Sequence, residues 1–292
     1  MKKYLYLTLI GLLWGAQFVF MRQAVAEISD VWVAAGRAIT GALTLWILCA
    51  VFRFKSKARF WPIYLLIALV DATLPFLLLA WAQKQVDSSV SAVIMGMIPL
   101  LTLLFAPIVI AERLRPIALV SVLLGFAGIW VLFAPQLQGA GNSLTRFWPL
   151  LAILASAGCY ALGMLLVKRF ARESPLLVAR NILSCAAIEL VVVALIKAPA
   201  IASPSTHSLV SLLMLGVLST GFGYFVFMAL IALSGPTFAS MSNYLVPVIG
   251  FLLGGWLLNE RPPHTTAWAL LLILLAIALN QWGRRVKRPI SV

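Results

Sequence analysis

Residues 99–113 read PLLTLLFAPIVIAER, and residues 247–261 read PVIGFLLGGWLLNER. In both stretches an apolar run starts at a proline and reaches a Glu-Arg pair thirteen residues later. The second stretch follows the first at a distance of 148 residues, about half of the 292-residue chain. This spacing indicates a duplicated unit, in which each copy contains one proline-interrupted apolar helix.

The composition excludes a soluble globular domain. Hydrophobic residues make up 63% of the chain, charged residues make up 10%, and the mean hydropathy is +1.06. Ordinary domains carry roughly 25% charged residues, and an apolar run of about 20 residues crosses a bilayer as a helix. The sequence predicts an all-α integral membrane protein with ten transmembrane helices, approximately at residues 4–26, 31–52, 61–83, 88–110, 115–134, 147–167, 175–197, 208–232, 236–258 and 263–282.

The net charge of +14 follows the predicted topology and does not indicate a nucleic-acid partner. With the N-terminus inside, fifteen basic residues fall on inner segments and five on outer segments. Such an excess on the cytoplasmic side sets the orientation of membrane proteins, so both termini are predicted to be cytoplasmic. The inner residues are Lys2, Lys3, Arg53, Lys55, Lys57, Arg59, Arg113, Arg115, Lys168, Arg169, Arg172, Arg284, Arg285, Lys287 and Arg288, and the outer ones are Arg22, Lys84, Arg146, Lys197 and Arg261.

The longest polar connector, Pro135 to Arg146, falls where two five-helix halves would meet. We expect a first repeat at residues 1–138 and a second at residues 139–292. Because five is odd, the second repeat enters the membrane from the opposite side. The predicted fold is therefore a 5+5 inverted repeat around a central cavity, with Glu112 at the inner surface and Glu260 at the outer surface. Inverted repeats with interrupted helices are typical of secondary transporters.

Several short patterns together identify a family resemblance. They are Trp14-Gly15, Arg37, Arg180 and the two Glu-Arg ends at residues 112–113 and 260–261. With them the chain resembles the EamA-like branch of the drug/metabolite transporter superfamily over nearly its whole length. The resemblance implies a ten-helix inverted repeat, a cavity lined mainly by helices 1, 3, 4, 6, 8 and 9, and metabolite export. Within that family the chain is most similar to amino-acid exporters, including the aromatic amino-acid type.

The second copy departs from the first at two positions. Tyr160 stands where the first copy has Trp14, and no proline precedes Arg37 as Pro175 precedes Arg180.

Helical spacing places polar and aromatic residues on common faces. Trp14, Gln17 and Phe18 share one face of the first helix, and a lipid-facing surface has no use for a glutamine. Such faces predict a cavity with aromatic walls and a few polar groups, suited to an amphiphilic small molecule. Interhelical packing with polar groups as hydrogen-bond partners is the alternative. The predicted substrate-binding residues are Trp14, Gln17, Phe18, Asp71, Phe76, Tyr160, Tyr224, Ser240, Asn243 and Tyr244.

Two acidic residues lie inside predicted spans, where an ionised carboxylate requires a partner, water or a proton. Asp71 has three open roles: contact with a substrate amine, transfer of a coupling proton, or pairing with a basic group such as Arg37. Glu189 is expected to be protonated or paired in a structural role.

Prolines and arginines supply the predicted hinge and gating positions. A proline at position i frees the carbonyl at i−4, so Pro75 frees that of Asp71 and Pro99 that of Met95. The full set of hinge and gating predictions is Pro75, Pro99, Pro247, Arg37 and Arg180.

The predicted function is a secondary transporter that exports neutral or aromatic amino acids by alternating access. The alternative is an efflux carrier for multiple drugs or lipophilic cations; a channel and a membrane-embedded enzyme are weaker alternatives. The sequence has no His-Glu-x-x-His, no Gly-x-Ser-x-Gly and no phosphate loop, so we expect no catalytic residues, no metal and no cofactor. Its expected partners are a small-molecule substrate and membrane lipid, and its expected location is a bacterial inner (plasma) membrane.

Overall fold

The computed structural model describes residues 1–54, 61–138, 143–171, 173–197 and 203–285. Six basic residues used in the charge comparison lie outside these ranges: Lys55, Lys57, Arg59, Arg172, Lys287 and Arg288. The predicted boundary between residues 138 and 139 coincides with the edge of a described range.

Within the described ranges every regular element is helical. The helices are α1 (Lys2–Ala24), α2 (Asp30–Val51), α3 (Trp61–Ala68, a π-helical Leu69–Thr73, then Leu74–Ala82), α4 (Ser88–Met95 and Ile98–Ile110), α5 (Pro116–Gln138), α6 (Ser143–Phe170), α7 (Pro175–Lys197), α8 (Thr206–Leu213, a π-helical Met214–Phe222, then Gly223–Ala239), α9 (Ser242–Leu257) and α10 (His264–Arg285).

Nine of these described segments are long and apolar enough to cross a membrane, and α9 is apolar but shorter. Its 16 residues rise about 24 Å, against a hydrocarbon core of about 30 Å. The prediction began this helix at residue 236, whereas in the structure α8 continues to Ala239. The sequence pattern Gly235-Pro236 does not end α8, because a proline in an apolar helix loses one backbone hydrogen bond without necessarily stopping it.

The surface of the bundle is apolar. Five tryptophan side chains on four different helices remain between 59% and 76% exposed, and Ile108 is 82% exposed. Large apolar side chains on a surface of this extent are stable only in contact with another apolar phase. The chain is therefore an integral membrane protein whose outer surface contacts lipid. The tryptophans are Trp130, Trp148, Trp256, Trp268 and Trp282.

Helix pairs distant in sequence hold the bundle together. The main contacts join α1 to α8 and α9, α6 to α3 and α4, α2 to α7 and α8, α3 to α7, α4 to α9, and α5 to α10. Small residues permit the closest approaches, as is usual for helices in membranes. A Cβ atom on Gly15 of α1 would lie 2.6 Å from Ile249 of α9, and one on Gly221 of α8 would lie 2.5 Å from Thr44 of α2.

The predicted hinge prolines occupy three different backbone settings. Pro75 is the second residue after the π-helical turn of α3, where the backbone already departs from the i→i+4 hydrogen-bond pattern. Pro99 follows a break in α4 at residues 96–97, whereas Pro247 lies inside the uninterrupted α9. Pro99 and Pro247 are thus equivalent in sequence but differ in local structure.

Candidate functional site

A buried arginine lies at the centre of the bundle. Arg37 is only 4% exposed and lies about 12 Å along α2 from the N-cap of that helix. Its Nε donates to Thr220 Oγ1 of α8 at 3.0 Å, and its Nη2 donates to Gln17 Oε1 of α1 at 2.7 Å. Its guanidinium lies over the Phe76 ring of α3, with Cζ 4.1 Å from the ring centroid. Four helices therefore meet at one cation.

Part of this guanidinium has no hydrogen-bond partner in the described residues. Arg37 Nη1 is inaccessible to solvent and makes no hydrogen bond. The Tyr160 hydroxyl of α6 is a polar neighbour that interacts with the guanidinium, but it forms no hydrogen bond with Nη1. An unsatisfied buried donor costs about 1–3 kcal/mol, and more when it belongs to a charged group. Arg37 is therefore ready to bind an anion or a polar acceptor.

Aromatic side chains form the surroundings of this cation. The Trp14 ring of α1 contacts Phe227 of α8 at 4.8 Å between centroids and Tyr224 of α8 edge-on at 6.1 Å. Phe76 and Tyr160 lie 6.4 Å apart. Tyr224 lies within electrostatic range of Arg37, Asp71 and Tyr160, so the tyrosines connect the polar and aromatic parts of the cluster.

Asp71 is the second buried ionisable group of the cluster. It lies in the π-helical turn of α3 and is 8% exposed. Its carboxylate packs directly on Gly163 of α6, where any side chain would overlap it. Among the described residues the ion pairs are Lys84–Asp30 and Lys168–Glu112, so Asp71 and Arg37 do not form one. Direct pairing of Asp71 with Arg37, one of its three open roles, is absent from this conformation.

Six of the ten predicted substrate-binding residues belong to this cluster, together with Arg37 from the gating set. They are Trp14, Gln17, Asp71, Phe76, Tyr160 and Tyr224.

The other four predicted substrate-binding residues lie elsewhere. Phe18 is 1% exposed and packs near Gly250 of α9, so its surroundings are those of a packing residue. Ser240, Asn243 and Tyr244 lie at the turn and first residues of α9. Tyr244 lines a separate, mostly apolar pocket of about 360 Å³ between α1, α9 and α10.

Arg180 has a different environment from Arg37. Its Nε and Nη2 both donate to Asn181 Oδ1, at 3.2 and 2.8 Å, and its Cζ lies 4.1 Å from the Trp46 ring centroid. Asn181 in turn donates to Glu173, which also accepts from the Tyr64 hydroxyl at 2.9 Å. This network joins α2, α3 and α7 outside the Arg37 cluster.

Glu189 accepts a hydrogen bond from the Thr73 hydroxyl at 2.6 Å. Thr73 follows Asp71 by two residues in the same π-helical turn, so the two residues leave α3 in nearly opposite directions. Glu189 therefore lies on the α7 side of α3, away from the cluster, with a polar partner as predicted for a structural residue.

The two Glu-Arg ends lie at opposite ends of the bundle. We call the end where Leu7 and Trp282 line one pocket the terminal end, and the opposite one the far end. At the far end Glu260 accepts hydrogen bonds from the backbone N–H groups of Ser88 at 2.8 Å and Ser89 at 2.9 Å, and from the Ser89 hydroxyl. These N–H groups begin α4 and have no partner within the helix.

Further polar contacts close the far end. Lys84 pairs with Asp30 at 2.6 Å, and Arg22 donates to the carbonyl of Gln83. Glu27 accepts from the backbone N–H of Ser205 at 2.6 Å and from its hydroxyl at 2.9 Å. The Ser205 N–H favours the charged carboxylate and lowers the pKa of Glu27 below its ordinary value.

At the terminal end Glu112 is exposed. Among the described residues its carboxylate pairs with Lys168 at 3.3 Å, and their side chains are 55% and 63% exposed, respectively. Arg169 next to that lysine donates to the carbonyl of Val109 at 2.7 Å.

Sequence similarity to known proteins identifies the family of this chain. The EamA-like transporter family matches residues 1–134 and 147–282. The chain belongs to the EamA-like transporter family. This membership and the names of its relatives indicate a membrane transporter and not an enzyme, with a small-molecule substrate.

The relatives of this transporter are distant. It is 25% identical over 292 residues to the uncharacterized transporter YvbV of Bacillus subtilis, covering 99% of this chain and 94% of the relative. It is 26% identical over 201 residues to a "Probable amino-acid metabolite efflux pump" of Salmonella typhimurium, covering 65% and 66%. A solved crystal structure has a TM-score of 0.69 at 22% identity and covers 98% of this chain and 99% of that one, which shows a common fold.

Sequence reasoning missed three contributors to the transporter's polar network. Gly163 carries no chemistry of its own, and its role appears only from the carboxylate packed on it. Thr73 and Glu173 become visible as hydrogen-bond partners only when α3 meets α7. In the part of the chain that the structure describes, no cluster of His, Cys, Asp or Glu could hold a metal ion.

Proposed function

We propose that this transporter is a secondary carrier that exports neutral or aromatic amino acids through the Arg37 cluster. The observation that carries the proposal is Arg37 itself, a buried cation with an unpaired Nη1 beside aromatic side chains. An amino acid offers a carboxylate to such a cation and an apolar side chain to the rings. The name of the Salmonella typhimurium relative supports the same class of substrate.

For the architecture we propose ten crossings arranged as two inverted five-helix repeats, residues 1–138 and 139–292. The packing supports this arrangement, since exchanging α1–α5 with α6–α10 converts the α1–α8, α1–α9 and α2–α8 contacts into the α6–α3, α6–α4 and α7–α3 contacts. The π-helical turns of α3 and α8 correspond in the same exchange. The two family matches, of similar length, support the same division.

We further propose a bacterial inner membrane as the location, with the terminal end of the bundle in the cytoplasm. The excess of basic residues on the segments at that end supports this orientation. The closed far end then faces outward, and export requires this end to open while the cluster is loaded. Pro75, Pro99, Pro247, Arg37 and Arg180 remain the proposed hinge and gating positions.

Efflux of lipophilic cations is the second candidate function. Asp71 favours it, because a buried carboxylate without an ion pair attracts cations. Arg37 opposes it, because a buried positive charge at the same cluster repels them. The balance favours a substrate that carries both charges over one that carries only a positive charge.

Counterflow in proteoliposomes tests the proposed function. Vesicles loaded with unlabelled compound are given the same compound in labelled form, and amino acids, nucleosides and quaternary ammonium compounds are compared. We expect saturable exchange of apolar or aromatic amino acids. Exchange restricted to quaternary ammonium compounds would establish the second candidate, and flux that does not saturate would indicate a channel.

Two variants test the site within the same assay. Tyr224→Ala is expected to lose substrate binding while the purified protein remains monodisperse, whereas Asn243→Ala, at the start of α9 and outside the Arg37 cluster, is expected to retain it. Wild-type exchange by Tyr224→Ala would remove the Arg37 cluster as the site, and loss of exchange by Asn243→Ala would extend the site to the start of α9.

A further inference from the structure

A buried arginine and a buried carboxyl group belong to the cluster without pairing with each other. Arg37 Nη1 is inaccessible and has no hydrogen-bond partner, and Arg37 as a whole is 4% exposed. Asp71 is 8% exposed and belongs to neither ion pair of the described residues. A molecule that carries both an anionic and a cationic group would supply a partner for each of these two unpaired groups.

The orientation of Arg37 is fixed by its other contacts. Nε and Nη2 are held by Thr220 and Gln17, and the face of the guanidinium lies on Phe76. The planar guanidinium cannot turn away from the site without breaking these contacts. Its free Nη1 therefore presents N–H donors in a fixed direction, and a carboxylate is the acceptor that guanidinium groups bind most strongly.

The position of Asp71 is fixed by the backbone. The π-helical turn of α3 and the absence of a side chain at Gly163 allow the carboxylate to pack against α6. Tyr160 and Tyr224 are each within electrostatic range of both Asp71 and Arg37, so these hydroxyl-bearing rings lie between or beside the two charges. An ammonium group satisfies a buried carboxylate in the way that Arg37 satisfies a carboxylate.

We propose that the cluster recognises a zwitterion at both of its charges. The substrate carboxylate binds Arg37 Nη1, its ammonium group binds Asp71, and its apolar side chain lies against Trp14, Tyr224 and Phe227. This assignment rests on the proposed function and adds to it which residue binds each end of the substrate. The charged groups facing the site in the described residues are Arg37 from α2 and Asp71 from α3, with Tyr160 and Cys159 from α6 and Tyr224 from α8 as further titratable neighbours.

Competition by three compounds of similar size tests the recognition of both charges. Labelled phenylalanine is exchanged in counterflow against unlabelled phenylalanine, 3-phenylpropionate (which lacks the amine) and phenethylamine (which lacks the carboxylate). A site that would leave a buried charge unpaired rejects such analogues strongly, so each is expected to compete on the order of 100-fold more weakly. Thermal stabilisation of the purified protein by the same three compounds gives a second readout that does not depend on transport.

Substitutions then show which residue binds the carboxylate end of the substrate and which binds its ammonium end. In Asp71→Asn we expect 3-phenylpropionate to compete nearly as strongly as phenylalanine, while phenethylamine still competes weakly. In Arg37→Gln we expect phenethylamine to compete nearly as strongly as phenylalanine, while 3-phenylpropionate still competes weakly. Glu189→Gln is the matched control, because this other acid within a span bonds Thr73 outside the cluster and should leave the order of the three compounds unchanged.

The outcomes separate this inference from the proposed function. Exchange of phenylalanine with equal competition by all three compounds would overturn recognition of both charges and leave amino-acid export standing. Absence of exchange and of thermal stabilisation with every amino acid would overturn the proposed function and this inference with it. If Asp71→Asn or Arg37→Gln does not fold, the wild-type competition series alone decides the matter.

Discussion

Glu112 and Glu260 leave their helices in the same way but meet different surroundings. Before each of them one residue has left-handed backbone, Ala111 at φ 54° and Asn259 at φ 53°. The N–H of Glu112 then donates to the carbonyl of Ala106 at 3.4 Å, and that of Glu260 to Gly254 at 3.3 Å. The two helices thus end alike, at a residue with left-handed backbone followed by a backbone hydrogen bond that reaches back six residues.

Beyond the backbone the two residues differ. Glu260 satisfies two N–H groups at the start of α4, whereas Glu112 pairs with one exposed lysine. The same local sequence thus ties two helices firmly at the far end and only loosely at the terminal end. A carboxylate thus stabilises this bundle when it accepts hydrogen bonds from backbone N–H groups that have no other partner. It contributes little when it forms an exposed ion pair, because both charges are then also solvated by water.

Removal of each carboxylate is the strongest test of this contrast. Glu260→Ala leaves the N–H groups of Ser88 and Ser89 without their acceptor and is expected to lower the free energy of unfolding by about 1–3 kcal/mol. Glu112→Ala, the matched control, is expected to change it by about 0–1 kcal/mol because it breaks an exposed pair. Thermal unfolding in detergent measures both, and equal shifts would contradict the contrast.

Gly254→Ala is expected to have the next largest effect. An added Cβ would lie 2.5 Å from Glu260 Oε2 and 2.6 Å from Ser88 Oγ, so the carboxylate must move from its place. The substitution should remove part of the stabilisation that Glu260→Ala removes. Because both changes act on one contact, the double variant should be less destabilised than the sum of the two. Additive shifts in thermal unfolding would show that Gly254 acts independently of Glu260.

Ser89→Ala removes only the hydroxyl contact with Glu260 and retains the backbone N–H bond. Its expected cost is about 0.5–1.5 kcal/mol, the net value of one hydrogen bond. Ser91→Ala is the control, because the Ser91 hydroxyl bonds only the Asp87 carbonyl in the preceding turn. A larger loss of unfolding free energy in Ser91→Ala than in Ser89→Ala would show that the Ser89 hydroxyl does not make the stabilising contact.

Glu27 is expected to make the smallest contribution to stability, and this contribution depends on pH. Its pKa is lowered in the folded state by the Ser205 N–H, so the folded protein binds a proton there less readily than the unfolded chain. The contribution of the Glu27 carboxylate to the free energy of unfolding is present above the ordinary glutamate pKa and is lost as the pH falls through the lowered pKa. Thermal unfolding of wild type and Glu27→Gln should converge at acidic pH, and an unchanged difference would exclude this linkage.

The sequence predicted much of the bundle for physical reasons. Apolar length alone specifies a membrane span, because every such run must satisfy its backbone within a helix. The predicted runs match the described helices except at two places. The α8 helix takes the residues assigned to the start of α9, and α5 and α6 extend to Gln138 and from Ser143 into the predicted polar connector. Helical spacing likewise identified Trp14 and Gln17 as neighbours, because side chains on one face of a helix necessarily share surroundings.

The composition of the Arg37 cluster follows only in part from the sequence. Periodicity placed Phe18 with Trp14, yet the approach of Gly250 on α9 makes Phe18 a packing residue. Arg37 was assigned to gating, whereas its hydrogen bonds to Gln17 and Thr220 bring it to the centre of the cluster. Such contacts join helices far apart in the chain, and no local pattern carries information about which helix lies opposite.

The sequence by itself determined that this chain crosses a membrane repeatedly, that it carries two Pro-Glu-Arg helices 148 residues apart, and that it belongs with the EamA-like transporters. Only the tertiary structure decided that Arg37 and Asp71 are both buried near Tyr160 and Tyr224 without pairing with each other. It also decided that Glu260 binds backbone N–H groups while Glu112 is exposed. The reason is that hydrophobicity acts on each segment separately, whereas hydrogen bonds and charges depend on the particular partner that packing brings within reach.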